Sequence, residues 1–594
     1  MVANPILLLG PPIAVPDGGG AAAAVQVTWL SGRPLTSGDP CLDFFFQIVP
    51  GDTEVARVGD LLDAAWVRDP LTALKLVCHL RAVRGLGKAD REGFYAAALW
   101  MHDHHPRTLA ANLAAFAEFG CFKDLLEIVY RVLHGPRDEH KEEEEEGDDQ
   151  TESEDGRRRR PRLRFKRRCI DHAEAAKARL QKEAQLAQAV LSRYGSDVSF
   201  RFLYDGVADT FAELLKSDVE HMRAGENAKI GLAAKWCPSL RSSYDRATLL
   251  CEAIARRMFP RESSQEYLFL SDEHYAYRVR NRLRREVLVP LRKVLELPEV
   301  YMTAGKWEQM PYARVPSVAM RQYKGAFEKH DKSGVAGFLD EVRTGHARLH
   351  VGAAMPHELV AAALKGEHDE AAELQWRRMV SALAAGGRLS NCIAVCGLSS
   401  GGDVAKPPGA AAVALGLLIS ELSQDPWKGR VITFDATQQL HKVCGATLVE
   451  KLRSLAAPVR AAPKGSSLNL QGVFDRILTV ATYGGLAKDM MVRRVFVLSD
   501  MELNASAWRV QDELKTIRSK FTAEGFTAPE VVFWNVGAPA SAPVVATEAN
   551  AAVVSGYSKN LVRLFLEWDG QLTPAAVMAD AISGPEYDSL EVVD

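Results

Sequence analysis

The sequence has no long apolar run, no dominant charge and no cysteine pattern. Each absence narrows what the chain can be. A membrane-spanning helix needs about 20 consecutive apolar residues. Stretches such as AAAAVQVTWL (Ala21–Leu30) stop well short of that. The opening MVANPILLLG has no basic start, and its apolar stretch is too short for a secretory signal. Lysine and arginine number 73 against 76 acidic residues, for a net charge of −3. That balance gives no overall attraction to nucleic acid or membrane, so any such surface must be local. Nine cysteines stand at 41, 78, 121, 169, 237, 251, 392, 396 and 444. An odd, scattered set without a C-x-x-C pair fits reduced thiols in a reducing compartment. The expectation is a soluble protein of the cytoplasm, the nucleus or both, with no membrane contact.

Catalytic signatures are missing too. His357 and Glu358 in MPHEL lack the second histidine of a metalloprotease helix. GLGK (Gly85–Lys88) lacks the spaced first glycine and the Ser/Thr of a phosphate-binding loop. HDHHP (His102–Pro106) places three histidines at a helix end, which reads as surface. Gly397–Gly401 has the letters G-x-S-x-G, but the following helix starts only after Pro407-Pro408, too late for a nucleophile elbow. The expectation is a protein that is not an enzyme, with no cofactor and no small-molecule substrate.

At 594 residues the chain is too long for one hydrophobic core. Residues 1–39 are rich in Gly, Pro and Ala and read as a disordered arm. Residues 40–385 read as helical. In PLTALKLVCHLRAVRG (Pro70–Gly85), Leu71, Leu74, Val77 and Cys78 fall on one stripe, with Pro70 in the first turn and Gly85 as a stop. Three more short-linked helices follow, which suggests stacked helical pairs without a strict sequence repeat. A charged insertion at 136–168 interrupts them. Glu142–Asp155 carries ten acids, and Arg157–Arg168 carries nine bases in twelve residues. Such blocks do not bury. Arg157, Arg158, Arg159, Arg160, Lys166, Arg167 and Arg168 are a candidate nuclear-import signal; the competing reading is a charge-balanced linker. RVRNRLRREVLVPLRKVLEL (Arg278–Leu297) is a basic amphipathic stripe, with Arg278, Arg282, Arg285, Arg292 and Lys293 as candidate phosphate contacts.

From 386 to 594 the pattern changes to alternating strand and helix. CIAVC, RVITF, RRVFVLSD, PEVVFWNV and AAVVSGYS read as strands between amphipathic helices. Apolar strands alternating with helices indicate a doubly wound, Rossmann-like parallel sheet covered on both faces. Ligands of such sheets bind beyond the carboxyl ends of the strands. The loop CGLSSGGD (Cys396–Asp403) lies on that edge, beside Asp435 and Asp500.

A strand followed by a serine-rich loop, with an acid after a later strand, resembles a von Willebrand factor type A domain. The metal-ion-dependent adhesion site of that fold is a D-x-S-x-S loop joined by a distant Thr and a later Asp. Here Gly397 stands in place of the first Asp, Ser399 matches the first Ser, and Gly401 stands in place of the second. Leu468, followed by Asn469, takes the Thr position, and Asp500 keeps the later acid. Ser466, Ser467 or Asp403 are off the motif spacing. A hard divalent cation needs more oxygens than these supply. The resemblance therefore implies an emptied site, with Ser399 and Asp500 as remnants and no Mg²⁺.

Longer stretches extend the likeness. DPLTALKLVCHLRAVRGLGKADREGFYAAALWMHDHHPRTLAANL, AAKWCPSLRSSYDRATLLCEAIARRMFP and DPWKGRVITFDATQQLHKV resemble a plant family catalogued as a domain of unknown function. That family joins a HEAT-like or TROVE-like helical region to a type A domain. Its architecture is similar to the Ro ribonucleoprotein, where a helical ring binds RNA. RAVRGLGKADREGFY (Arg81–Tyr95) resembles the R-x-x-R-G-G-K-G-E-R signature of that ring. The expected function is an interaction scaffold with a protein partner. The alternative is an RNA-binding protein that uses Arg81, Arg84, Lys88 and the stripe at Arg278–Lys293.

Overall fold

The computed structural model describes residues 29–30, 33–34, 37–136, 172–364, 369–397, 403–433, 438–460, 469–500, 507–537, 542–566 and 571–594. Nearly all of the arm and of the charged insertion, including the import candidates Arg157–Arg160 and Lys166–Arg168, lies outside the described residues. The chain is helical with a carboxy-terminal six-stranded mixed sheet. It divides into two compact units. The first is Met1–Gly93 with Ala354–Tyr587; the second is Phe94–Ala353 with Asp588–Asp594. The change of pattern near residue 385 marks where strands begin, not where a compact unit begins.

In the first unit a two-residue hairpin, β1 (Trp29–Leu30) with β2 (Arg33–Pro34), precedes the helices α1 (Pro40–Gln47), α2 (Val55–Arg68) and α3 (Pro70–Arg81). The starts of α1 and α3 follow one rule. An aspartate accepts a free backbone N–H, Asp39 from Cys41 and Asp69 from Thr72, and a proline fills the first helical position. The sheet strands are β3 (Cys392–Gly397), β4 (Arg430–Thr433), β5 (Leu440–Lys442), β6 (Arg494–Ser499), β7 (Glu530–Asn535) and β8 (Ala551–Ser555). Their order is β5-β4-β3-β6-β7-β8. All neighbours are parallel except β4 and β5, which corrects the expectation of a purely parallel sheet. The three-residue β5 carries one exposed and two half-buried side chains, and its brevity hid it in the sequence.

Two packing relations explain why residues far from the strands join this unit. The helix Gly409–Leu422 is apolar on every side, and all but Glu421 of its residues are buried. A helix of that kind must be covered all round. The sheet covers one side, and helices Pro356–Leu364 and Glu370–Ala384 cover another. Against β3 the fit is close: a Cβ on Gly416 would stand 2.4 Å from Cys396 Sγ. At the far edge, β8 is wholly buried, because α1 and the helix Pro574–Ala581 pack on it. Covering an edge strand removes an unpaired ladder that would otherwise recruit other chains. At the amino-terminal end of the sheet, buried Arg494 donates twice to Glu530 Oε2, at 2.9 and 2.6 Å, and once to Phe565 O. That pair fixes the register of β6 against β7.

The second unit is helical. Its spine is Val198–Arg223, capped by Asp197 on the Phe200 N–H at 3.1 Å. Phe200, Leu203, Val207, Phe211 and Leu215 bury one stripe of it. Helices Pro106–Ala111, Phe122–His134 and Leu250–Met258 pack on this spine. Gly206 allows close approach, since a Cβ there would meet Leu113 Cδ1 at 2.7 Å. The basic stripe runs through Asp272–Arg282, a π-helical turn at Leu283–Leu288, and Val289–Val294. Pro290 accounts for the widened turn: it has no N–H to donate, and its ring collides with a preceding carbonyl. Among the described residues, no helix is long and apolar enough to cross a membrane.

Candidate functional site at the carboxyl edge of the sheet

Each parallel strand of the first unit changes from apolar to polar or small at its last residue. The register aligns Gly397 of β3, Ser499 of β6, Asn535 of β7 and Ser555 of β8 in one row. In a doubly wound sheet the binding crevice opens where strand order reverses. Here the reversal falls between β3 and β6, hence between Gly397 and Ser499.

Most of the row's polarity is committed internally. Asn535 folds onto its own loop, donating to Gly537 O at 2.6 Å and accepting the Gly537 N–H at 3.1 Å. Gly537 is required there, because a Cβ would stand 3.0 Å from the Cβ of Asp500. The Val536 N–H donates to Ser499 O at 3.0 Å, and Tyr557 Oη donates to Val536 O at 3.3 Å. Burial pushes the Tyr557 hydroxyl well above its ordinary range, helped by the carboxylates of Asp52, Asp90 and Asp500. Asp500 itself is half-buried at the rim.

Gly397 offers no ligand atom. Asp403 accepts the Ala405 N–H at 2.9 Å and so serves its own turn. Among the described residues, no group of three or more His, Cys, Asp or Glu is placed to hold a metal ion. Ser399, Gly401, Asp435, Ser466, Ser467 and Leu468 lie outside the described residues.

The end of β8 holds what the sequence did not disclose. Lys88, expected as an RNA contact, is 1% exposed and therefore cannot be one. Its ammonium donates to Phe45 O, to Ile48 O at 2.7 Å and to Ser555 Oγ at 2.7 Å. Two carbonyls from the end of α1 and one hydroxyl from β8 thus share one buried cation. Gly87 lets the chain pass, since a Cβ there would meet Ala82 Cβ at 2.3 Å. The loop after β8 repeats the device. Buried Lys559 donates to Ala354 O at 2.6 Å, and Asn560 Nδ2 donates to Val83 O at 3.2 Å. His79, fully buried beside Lys88, is pushed down to about 3 by burial and by the Lys88 charge.

The remaining candidates divide. Arg81 is buried, whereas Arg84 is exposed. In the second unit, Arg292 is spent on Ala234 O, Ser239 Oγ and Cys237 O at 2.7–2.8 Å. Arg282 stacks 4.1 Å from the Phe259 ring centroid and pairs with Glu286 at 2.9 Å. Arg292 is thus turned onto the protein's own backbone, whereas the Arg282 side chain stays partly exposed. Arg278 is exposed and pairs with Glu266 at 3.0 Å; Arg285 and Lys293 are exposed. His102, read as surface, is buried and contacts Asp103 through Nδ1 at 2.9 Å.

Burial pushes the Lys88 ammonium down to about 7, with Asp90 opposing. The unfolded chain therefore holds this proton more tightly, and the sign follows. Stability rises with pH across the window from about 7 to the ordinary lysine value, and is flat with respect to this group below it. Lys88→Met keeps the length of the side chain and removes the charge. The unfolding free energy of the wild type, measured relative to Lys88→Met, should rise between pH 7 and 10. Parallel pH profiles for the two proteins would refute the assignment. Lys559, pushed down to about 8 by burial, titrates in both proteins and cancels.

Comparison with known families covers most of the chain. The family described as Domain of unknown function (DUF2828) matches residues 31–389, and that described as Domain of unknown function (DUF7788) matches residues 391–586. The chain is 25% identical over 587 residues to "Uncharacterized protein L728" of Acanthamoeba polyphaga mimivirus, covering 94% of this chain and 88% of that protein. No solved structure matches. With the first match spanning more than half its length, the chain belongs to the family described as Domain of unknown function (DUF2828).

Proposed function

We propose that the protein is a non-enzymatic interaction scaffold. Its sheet unit is a von Willebrand factor type A-like module whose adhesion site has lost its metal ligands, and its second unit is a HEAT-like or TROVE-like helical surface. It works in the cytoplasm or nucleus on a protein partner. The observation that carries this reading is the row Gly397–Ser499–Asn535–Ser555 at the reversal of strand order, where a glycine stands in place of an acid. A sheet of order β5-β4-β3-β6-β7-β8 with an antiparallel edge strand supports the type A likeness. Partner binding at this edge would then rest on shape and hydrogen bonds rather than on a bridging cation.

The test is thermal unfolding with millimolar Mg²⁺ or Mn²⁺ against chelator. No shift is expected, because a ligand stabilises only in proportion to its binding. Restoring Gly397→Asp, Gly401→Ser and Leu468→Thr together should create a cation-dependent rise. A rise in the unaltered protein, or none in the restored one, would contradict the reading.

A second reading is RNA binding in the second unit. The solvent exposure of Arg278, Arg285 and Lys293 favours it, since phosphate contacts need solvated cations. Ultraviolet crosslinking to single-stranded RNA, repeated with Arg285→Glu and Lys293→Glu, separates the two readings. The RNA reading requires a crosslink that the charge reversals abolish. The scaffold reading requires none above a control protein of equal charge.

A further inference from the structure

In the second unit, Thr108 and Asn112 bind a stretch of the chain far away in sequence. That stretch, Asp588–Asp594, follows the last residue of the first unit and has no regular secondary structure. Asn112 clamps this segment's backbone at one residue. Its Oδ1 accepts the Glu591 N–H at 3.0 Å and its Nδ2 donates to Glu591 O at 2.7 Å. That is the pair of bonds an adjacent strand would supply, and it recognises extended backbone whatever the side chain. Asn112 is fixed in turn by donating to Thr108 O at 2.7 Å.

Thr108 reads the end of the segment. Its Oγ1 donates to Asp594 Oδ1 at 2.7 Å and accepts the N–H groups of Val593 and Asp594 at 3.0 and 3.1 Å. The Asp594 carboxylate also accepts the N–H groups of Arg107 at 3.0 Å and Thr108 at 2.9 Å. His105 Nδ1 lies 3.0 Å from Asp594 O. Thr108 and Asn112 are themselves 0% and 2% exposed, so both polar side chains are buried and aimed at this occupant.

The segment is held by polar contacts and buries little apolar surface. Of its seven residues, Leu590 alone is buried; Val593 is 48% exposed. Segments with few buried apolar contacts open ahead of the core. The backbone clamp at Glu591 and the carboxylate anchor at Asp594, together with the segment's one buried side chain, Leu590, make a recognition code: leucine and aspartate four residues apart.

We propose that the Thr108–Asn112 groove is a peptide-recognition site, taken in cis by Leu590–Asp594 and open in exchange to an extended L-x-x-x-D segment of a partner. This goes beyond the scaffold reading and uses no part of the sheet edge. The probe is a fluorescent peptide, DSLEVVD, followed by anisotropy. The chain lacking residues 588–594 should bind it about tenfold or more tighter than the intact chain, and peptides with Leu590→Ala or Asp594→Asn should lose about tenfold. Should that truncated chain not fold, the full chain carrying Leu590→Ala and Asp594→Asn, whose strap is weakened, should gain peptide binding over the wild type. Equal binding to intact and strap-weakened chains, or no saturable binding to either, would overturn the proposal.

Discussion

A lysine ammonium sealed from water must find acceptors for its three protons, and Lys88 finds all of them on backbone and hydroxyl oxygens. No carboxylate touches it in the hydrogen bonds that hold it; Asp90 acts on it through space. The consequence is architectural. The two carbonyls lie at the end of α1, and the hydroxyl closes β8, so the cation can be satisfied only if helix and strand come together. Removing one partner of such a group leaves an unmet buried charge, which is far costlier than losing a surface contact. This requirement adds to the packing of α1 on β8 in joining residues 40–93 to the sheet unit.

The same logic explains the carboxyl edge of the sheet. A doubly wound fold presents its strand ends as a binding rim. Here β8 is closed by Lys88 and Ser555, and β7 by the self-bonded Asn535 loop. The reversal of strand order itself falls nearer the centre of the sheet, between Gly397 of β3 and Ser499 of β6. A glycine at the first position supplies space rather than charge.

Much of the fold was legible in the sequence, because the strands CIAVC, RVFVLS, EVVFWN and AAVVS have continuous apolar interiors and alternate with helical patterns. The antiparallel β5 was not, since three residues carry no period. The unit boundary was missed for a related reason: α1 reads as one more amphipathic helix, and nothing local says that its carbonyls await a lysine 40 residues on. Lys88 read as an RNA contact because RAVRGLGKADREGFY resembles the R-x-x-R-G-G-K-G-E-R signature. Its signal was the crowding of Gly87 and Asp90 about it, which means something only once Ser555 is in place. A helical stripe gives spacing and not exposure, so it did not reveal that Arg292 is spent on backbone carbonyls. Thr108 and Asn112 left no signal, as their partners are main-chain groups nearly 500 residues away.

The central claim is that α1, α3 and the sheet form one cooperative unit held at Lys88. Native-state hydrogen exchange on the full chain tests it directly. The account predicts that amides of 40–48 and 74–81 exchange as slowly as those of β7 and β8, through a shared opening that Lys88→Ala accelerates in all of them together. Fast exchange in 40–81 beside a protected sheet, or acceleration confined to one side of the joint, would contradict it.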